Sequence, residues 1–171
     1  FYETLFQTLL YRHDKSKPGY TRQRKCSLNE RELQKAFEAF CFNTRRKGLA
    51  TMTNTQMHES SDAAAQLTNL KLDSQAFIED ITKVTCLILE EGFKYHFIHK
   101  SVQEYHAASF ITQLPETAAI SLYSKMSDSW RSWQQELAFL KQLDTFRFYK
   151  YFAIEPKARS YWVQFPRSPI S

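Results

Sequence analysis

Apolar residues recur at three- and four-residue intervals along most of this chain, and alternate with polar residues over one short stretch. Tyr2, Leu5, Phe6, Leu9 and Leu10 line one face of residues 1–11, which predicts an amphipathic helix. A polar stretch from His13 to Cys26, broken by Pro18 and Gly19, reads as a loop. Ser27, with Glu30 three residues on, predicts a capping box ahead of a helix whose apolar face carries Leu33, Phe37, Phe40 and Cys41 and which Gly48 stops. Thr51 to Thr53 is short and β-branched. The Asn, Ser and Asp residues after it suit a turn, with Ser61 or Asp62 opening a short helix through Leu67.

Asp73-Ser74 starts the next helix, in which Phe77, Ile78, Ile81, Val84 and Thr85 share a face. The period then changes. Cys86 to Leu89 is apolar, Glu90-Glu91-Gly92 is a turn, and Phe93 to Ile98 alternates aromatic with polar residues, which predicts a β-hairpin. Helix, turn, helix and then a hairpin is the order of a winged helix. Ser101 with Glu104 predicts a second capping box, opening a helix that ends near Leu114-Pro115. Thr117 to Met126 and Ser129 to Leu143 predict two further helices, the aromatic-rich residues 146–152 one more, and Gln164 to Ser171 a frayed end or linker. The expected fold is mainly α: a winged-helix-like domain over residues 1–115 with one small β-hairpin, followed by a helical extension over residues 116–171.

Composition agrees with that reading. A chain of 171 residues, 43% hydrophobic and 15% aromatic, can bury a sizeable core, and three Gly with five Pro leave few turn punctuators for a many-stranded sandwich. No stretch approaches the roughly eighteen apolar residues a membrane helix needs, so no membrane partner is expected. Cys26, Cys41 and Cys86 are an odd number in no metal-ligand spacing, and read as reduced structural thiols of a cytoplasmic protein. The opening residue, Phe1, already lies in an amphipathic pattern, so the expectation is a piece of a longer polypeptide.

The formal charge of +5 is unevenly spread. Residues 1–48 carry eleven Lys/Arg against five Asp/Glu, residues 49–116 four against nine, and residues 117–171 eight against four. The basic residues cluster at Arg12, Lys15, Lys17, Arg22, Arg24 and Lys25 and at Arg45-Arg46-Lys47. A solvated loop and a basic helix C-terminus that complements its macrodipole account for them without a nucleic-acid partner. The helix that would enter a DNA groove, about Ser74 to Thr85, carries Glu79, Asp80 and Lys83 with Asp73, Glu90 and Glu91 beside it, and phosphate repulsion opposes docking. A winged-helix nucleic-acid-binding domain is therefore the alternative reading and not the preferred one.

Catalysis by this chain alone is not expected. It has no G-x-x-x-x-G-K-[ST] loop and no Gly-rich turn to cradle phosphate. His99 and Ser101 lie too close in sequence for a base and nucleophile pair, and no two histidines have convincing metal-site spacing. His13 and His58 read as loop residues, His96 as solvent-facing and His106 as interhelical packing. His99 is different, because it sits between a strand and the first turn of a helix, where an imidazole can meet an anion supported by helix N–H groups. Taken alone, such a histidine is also satisfied by a backbone carbonyl.

Phe97-Ile98-His99-Lys100-Ser101-Val102-Gln103-Glu104-Tyr105-His106-Ala107-Ala108 resembles the segment F-x-H-x-[ST]-[FL]-Q-E-[YF]-x-A-A at the winged-helix end of NACHT-family signal-transduction NTPases of the STAND class. Phe1-Tyr2-Glu3-Thr4-Leu5 resembles the family's upstream L-Y-E-x-L helix. The likeness covers roughly residues 1–115. It implies that His99 reaches the β-phosphate of a nucleotide bound in a neighbouring NTPase core and helps hold a closed, ADP-bound state. It further implies ADP/ATP with Mg²⁺ in the parent protein, the NTPase core of the same polypeptide as partner, and a setting in a cytosolic sensor of antiviral defence, and it leaves an oligomer on activation open. Val102, where an aromatic residue or Leu is usual, and His106, where Leu is common, depart from the pattern.

Overall fold

Helix ends in this chain are decided by which side chains satisfy the terminal backbone groups, and they move several boundaries from where the periodicity put them. The computed structural model describes residues 2–15 and 24–164; the loop read at 16–23 and the frayed end read from 165 onward lie outside the described residues. Helix α1, Tyr2–Lys15, buries Phe6 and Leu10. Helix α2, Glu30–Arg46, is capped by Asn29 and not by Ser27. The Asn29 side chain accepts from the Glu32 N–H at 3.0 Å while the Glu32 carboxylate accepts from the Asn29 N–H at 2.9 Å. This is the expected capping box moved two residues on, because Asn-x-x-Glu satisfies the same donors as Ser-x-x-Glu. At the other end Gly48 takes φ 70°, its N–H bonds Arg45 O at 3.0 Å, and the Leu49 N–H bonds Thr44 O at 2.9 Å. That Schellman arrangement needs the left-handed residue that glycine supplies without strain.

Strand β1, Thr51–Thr53, runs straight into helix α3, Asn54–Thr68. The turn expected after Thr53 is therefore helical. Thr53 and Gln56 form another reciprocal cap, with bonds of 2.9 and 3.3 Å, and Ser61 lies buried in mid-helix, donating to Met57 O at 2.8 Å. Asn69, at φ 54°, ends α3 in the left-handed conformation. Helix α4, Ser74–Glu79, is capped as expected by Asp73, which accepts from the Ala76 N–H at 2.9 Å, and continues as a π-helical stretch over Asp80–Val84. Asp80 is fully buried and accepts from the N–H groups of Lys25 and Cys26 at 2.8 and 3.0 Å, which fixes the chain ahead of α2. Burial pushes its carboxyl up from the usual range, against the two N–H donors that favour the anion.

The expected hairpin forms as β2, Ile88–Glu91, and β3, Lys94–Phe97, joined through Gly92 at φ 64°, with Glu90 and Glu91, read as turn residues, paired in β2 opposite Tyr95 and Lys94. β1 adds a third antiparallel strand, giving the order β1-β3-β2 with Met52 opposite Tyr95 and Ile88 opposite Phe97. These four side chains form the buried face of the sheet, while Thr51, Thr53 and Lys94 stay exposed. Helix α5, Lys100–Thr112, follows.

The chain divides into two compact units, residues 1–107 and 108–171, with the division inside α5. In the first, α2 is buried without interruption from Ala36 to Thr44. Phe37 stands 5.2 Å from Phe6 of α1, and Phe40 stands 5.8 Å from Phe77 and 6.3 Å from Phe97 between ring centroids. His106 of α5 enters the same aromatic core, near perpendicular to Phe37 at 5.0 Å and to Tyr105 at 5.4 Å. It packs between helices as the sequence suggested, and neither ring nitrogen has a hydrogen-bond partner.

The second unit contains helix α6, Glu116–Asp128, a 3-10 turn at Trp130–Trp133, helix α7, Gln134–Leu143, and helix α8, Thr145–Arg147. A π-helical stretch at Phe148–Ala153, a 3-10 turn at Pro156–Ala158 and helix α9, Arg159–Gln164, follow. Residues 129–143 are thus not one helix. Ser129 leaves helical angles at φ −133°, and its carbonyl accepts both the N–H and the hydroxyl of Ser132, at 3.0 and 2.8 Å. Within this unit Arg147 is a hub: it donates to Ile111 O, Thr112 O and Leu114 O at 3.4, 2.5 and 2.9 Å, and through Nε to both Asp144 oxygens at 3.1 and 2.9 Å. The same Asp144 accepts from the Tyr123 hydroxyl at 3.0 Å.

Replacing Arg147 with Met should cost about 2–4 kcal/mol, since helix-end carbonyls and a carboxylate lose their donors together. Arg147→Lys should recover less than half, because an ammonium cannot reproduce the fork. Urea unfolding of both variants against wild type checks the order.

Burial lowers His106 from 6.5 to about 4. The folded state therefore resists a proton that the unfolded chain accepts, so stability is full above pH 6.5 and falls as pH drops toward 4. The loss should be about 3 kcal/mol. His106→Leu should remove that slope and stabilise the chain at neutral pH by about 1–3 kcal/mol, by deleting an unsatisfied buried polar group. Denaturant midpoints for the two proteins at pH 6.5 and 4 give the comparison.

Candidate functional site

β3 ends at Phe97, and the Ile98 N–H bonds Leu87 O at 2.9 Å, so the hairpin delivers His99 to the start of α5. His99 is exposed. Its carbonyl accepts from the Val102 N–H at 3.0 Å. Its Nδ1 lies 3.2 Å from the Ser101 N–H and 2.5 Å from Ser101 Oγ, which in turn accepts from the Tyr2 hydroxyl at 2.6 Å. A backbone N–H can only donate, so the Ser101 N–H suits a ring whose lone pair is on Nδ1 and whose proton is on Nε2. The side chain therefore offers one N–H donor from an exposed ring.

Ser101 was expected to cap α5 with Glu104. Instead α5 begins at Lys100, the imidazole of His99 accepts the first-turn N–H of Ser101, and the Glu104 carboxylate pairs with Lys100 at 3.0 Å. The imidazole can do this because its Nδ1 reaches the N–H two residues on, the distance a shorter capping side chain spans. Ser101 and Val102 both donate to atoms of His99, so these two N–H groups are turned to the histidine itself.

The helix behind this end is firmly held. Gln103 is buried and donates to Thr44 Oγ1 and to Leu49 O, both at 3.0 Å, joining α5 to the terminal turn of α2. Tyr105 stacks on Tyr2 at 5.1 Å, and Ala107 is fully buried. Sequence reasoning missed the part played by Tyr2, which lies 99 positions from Ser101 and which periodicity marks only as one member of an apolar face.

The other histidines lie elsewhere in the fold. His58 lies in α3 and the backbone of His13 in α1, so neither is a loop residue. His96 is half-buried, 3.8 Å from Glu91. Among the described residues no three His, Cys, Asp or Glu side chains converge to hold a metal ion. Cys26, Cys41 and Cys86 are free thiols, and burial raises the first two. On the segment considered for a DNA groove, Asp80 is withdrawn into the core and Glu79 lies 3.9 Å from Lys83. A shallow hollow of about 430 Å³ in the second unit is lined by Ser127, Asp128, Trp130, Arg131 and Ser160; the Ser127 hydroxyl donates to Tyr123 O and Ser160 accepts from Trp130 Nε1. Among the described residues no helix is long and apolar enough to cross a membrane.

Comparison with protein-family models, with curated proteins and with solved structures finds no match to this chain.

Proposed function

We propose that this chain is a regulatory module of a signal-transduction NTPase, in which the winged-helix-like part packs on a nucleotide-binding core of the same polypeptide and reports whether ADP or ATP is bound. The observation that carries the reading is His99 at the head of α5, exposed, with Nδ1 occupied by Ser101, which leaves Nε2 as the ring atom that can donate outward. A donor so presented can bond a nucleotide phosphate oxygen and lose that bond on a small rearrangement. The resemblance of residues 97–108 to the NACHT-family segment supplies the nucleotide as the anion. In this reading the core's own residues hold the nucleotide and Mg²⁺, this chain performs no catalysis, and the protein works in the cytoplasm, as a sensor in antiviral defence.

Replacing His99 with Leu in the complete protein should lower retained ADP by about 10- to 100-fold, the range of one hydrogen bond to a charged group. Basal activation should rise with it. Nucleotide extracted from the purified proteins and quantified by chromatography decides the matter, and unchanged content would remove His99 from this role.

A further inference from the structure

The surroundings of His99 fix more than its position. Ser101 N–H points at Nδ1, and with the lone pair on that nitrogen the Ser101 hydroxyl beside it donates there too, leaving its oxygen open to accept. The Tyr2 hydroxyl lies 2.6 Å from that oxygen. In that tautomer the donors run in one direction, from Tyr2 O–H to Ser101 Oγ and from Ser101 O–H to His99 Nδ1.

From this relay we infer that Tyr2 and Ser101 are positioning residues which hold His99 in its Nε2–H tautomer and so couple the seating of α1 to the histidine's capacity to donate to a phosphate. The phosphate half of this statement rests on the function proposed above. The tautomer matters because an anion discriminates absolutely between a ring N–H and a ring lone pair. With the proton on Nδ1, that proton would face the Ser101 N–H, and Nε2 would turn a lone pair toward any phosphate oxygen. Tyr2 is held in place by α1, through its stack on Tyr105 at 5.1 Å and through Phe6, one turn along, which packs on Phe37 at 5.2 Å. A shift of α1 would free the Ser101 hydroxyl to rotate and leave Nδ1 with the 3.2 Å backbone contact alone. Anion recognition at α5 thereby becomes sensitive to a helix 99 positions away in sequence.

Long-range proton–nitrogen correlation spectra of the chain labelled with ¹⁵N-histidine, taken at mildly alkaline pH, report the tautomer of each ring directly. His99 should be almost wholly Nε2–H. Tyr2→Phe, which keeps the ring stack and removes only the hydroxyl, and Ser101→Ala should each raise its Nδ1–H share toward that of a blocked histidine peptide, with the rest of the spectrum unchanged. A wild-type His99 carrying its proton mainly on Nδ1, or a tautomer that ignores both variants, overturns the inference. In the complete protein, Tyr2→Phe should lower ADP retention by roughly 3- to 10-fold and add nothing in the His99→Leu background; an additive loss there would break the coupling. If His99→Leu leaves nucleotide content untouched while the tautomer responds as stated, the phosphate reading falls and the positioning relay stands.

Discussion

A helix buried on every face has no water to satisfy its polar side chains, and α2 is such a helix from Ala36 to Thr44, with Asn43 Nδ2 left without a partner among the described residues. Its aromatic residues do the packing, with Phe37 and Phe40 meeting rings from α1, α4 and β3. Its polar residues decide what lies at its ends. Glu38 accepts from Gln34 one turn back, and the Thr44 hydroxyl donates to the carbonyls above it. Thr44 still has acceptor capacity, and with Leu49 O in the terminal turn it makes a two-point acceptor that the Gln103 amide fills. A side-chain amide bonded twice in a buried site tolerates little sliding. The register of α5 against α2 is therefore fixed, and with it the place where the hairpin hands over to α5. His99 stands at that place because of a constraint set four residues along its own helix and more than fifty residues back in the chain.

The unfavourable features of the first unit gather around the same core. His106 occupies an aromatic site with both ring nitrogens unbonded, its ring standing T-shaped to Phe37 and to Tyr105. Such contacts recover little of what desolvation costs an imidazole. Asp80 is also withdrawn from water, yet its carboxylate receives two backbone N–H groups and so organises the segment entering α2. One buried titratable group thus positions backbone and the other does not. In the second unit the corresponding polar investment is Arg147, whose five donors let one side chain close the carbonyl end of α5 and hold Asp144 together.

How much of this was legible follows from the range of each interaction. The 3.6-residue period gave the helices, and the change to alternation gave the hairpin, because both are facts of local geometry. Capping boxes were foreseen in kind but placed two residues early on α2, since Ser27 to Glu30 and Asn29 to Glu32 offer the same chemistry and only packing chooses between them. α3 was missed at its start because Asn54, Thr55 and Gln56 look like turn residues unless Thr53 is recognised as the cap. The pairing of β1 with β3 leaves no periodic trace, for three residues are too few to show one. His99 was found from its neighbours in sequence. Tyr2, which bonds Ser101 beside it, was not, since a contact across 99 positions has no local signature, and the cap expected of Ser101 is supplied by the imidazole itself.

What a lone imidazole donor can accomplish sets the character of the proposed site. Lys100, the nearest cation in sequence, pairs with Glu104 at 3.0 Å, and the first-turn N–H groups of Ser101 and Val102 are bonded to His99 itself. An anion meeting this end of α5 therefore finds one hydrogen bond and little added positive charge. Even a bond to a charged group contributes only about 1.5–3 kcal/mol net. That is far short of the roughly 8 kcal/mol that micromolar binding requires, so affinity has to come from another surface. It is, however, enough to shift a two-state equilibrium by about one to two orders of magnitude. A contact of that size suits the reading of an occupied site and not the filling of one. The relay through Ser101 to Tyr2 then has a physical purpose: a weak contact can serve as a signal only if its donor is present in one state and withheld in the other.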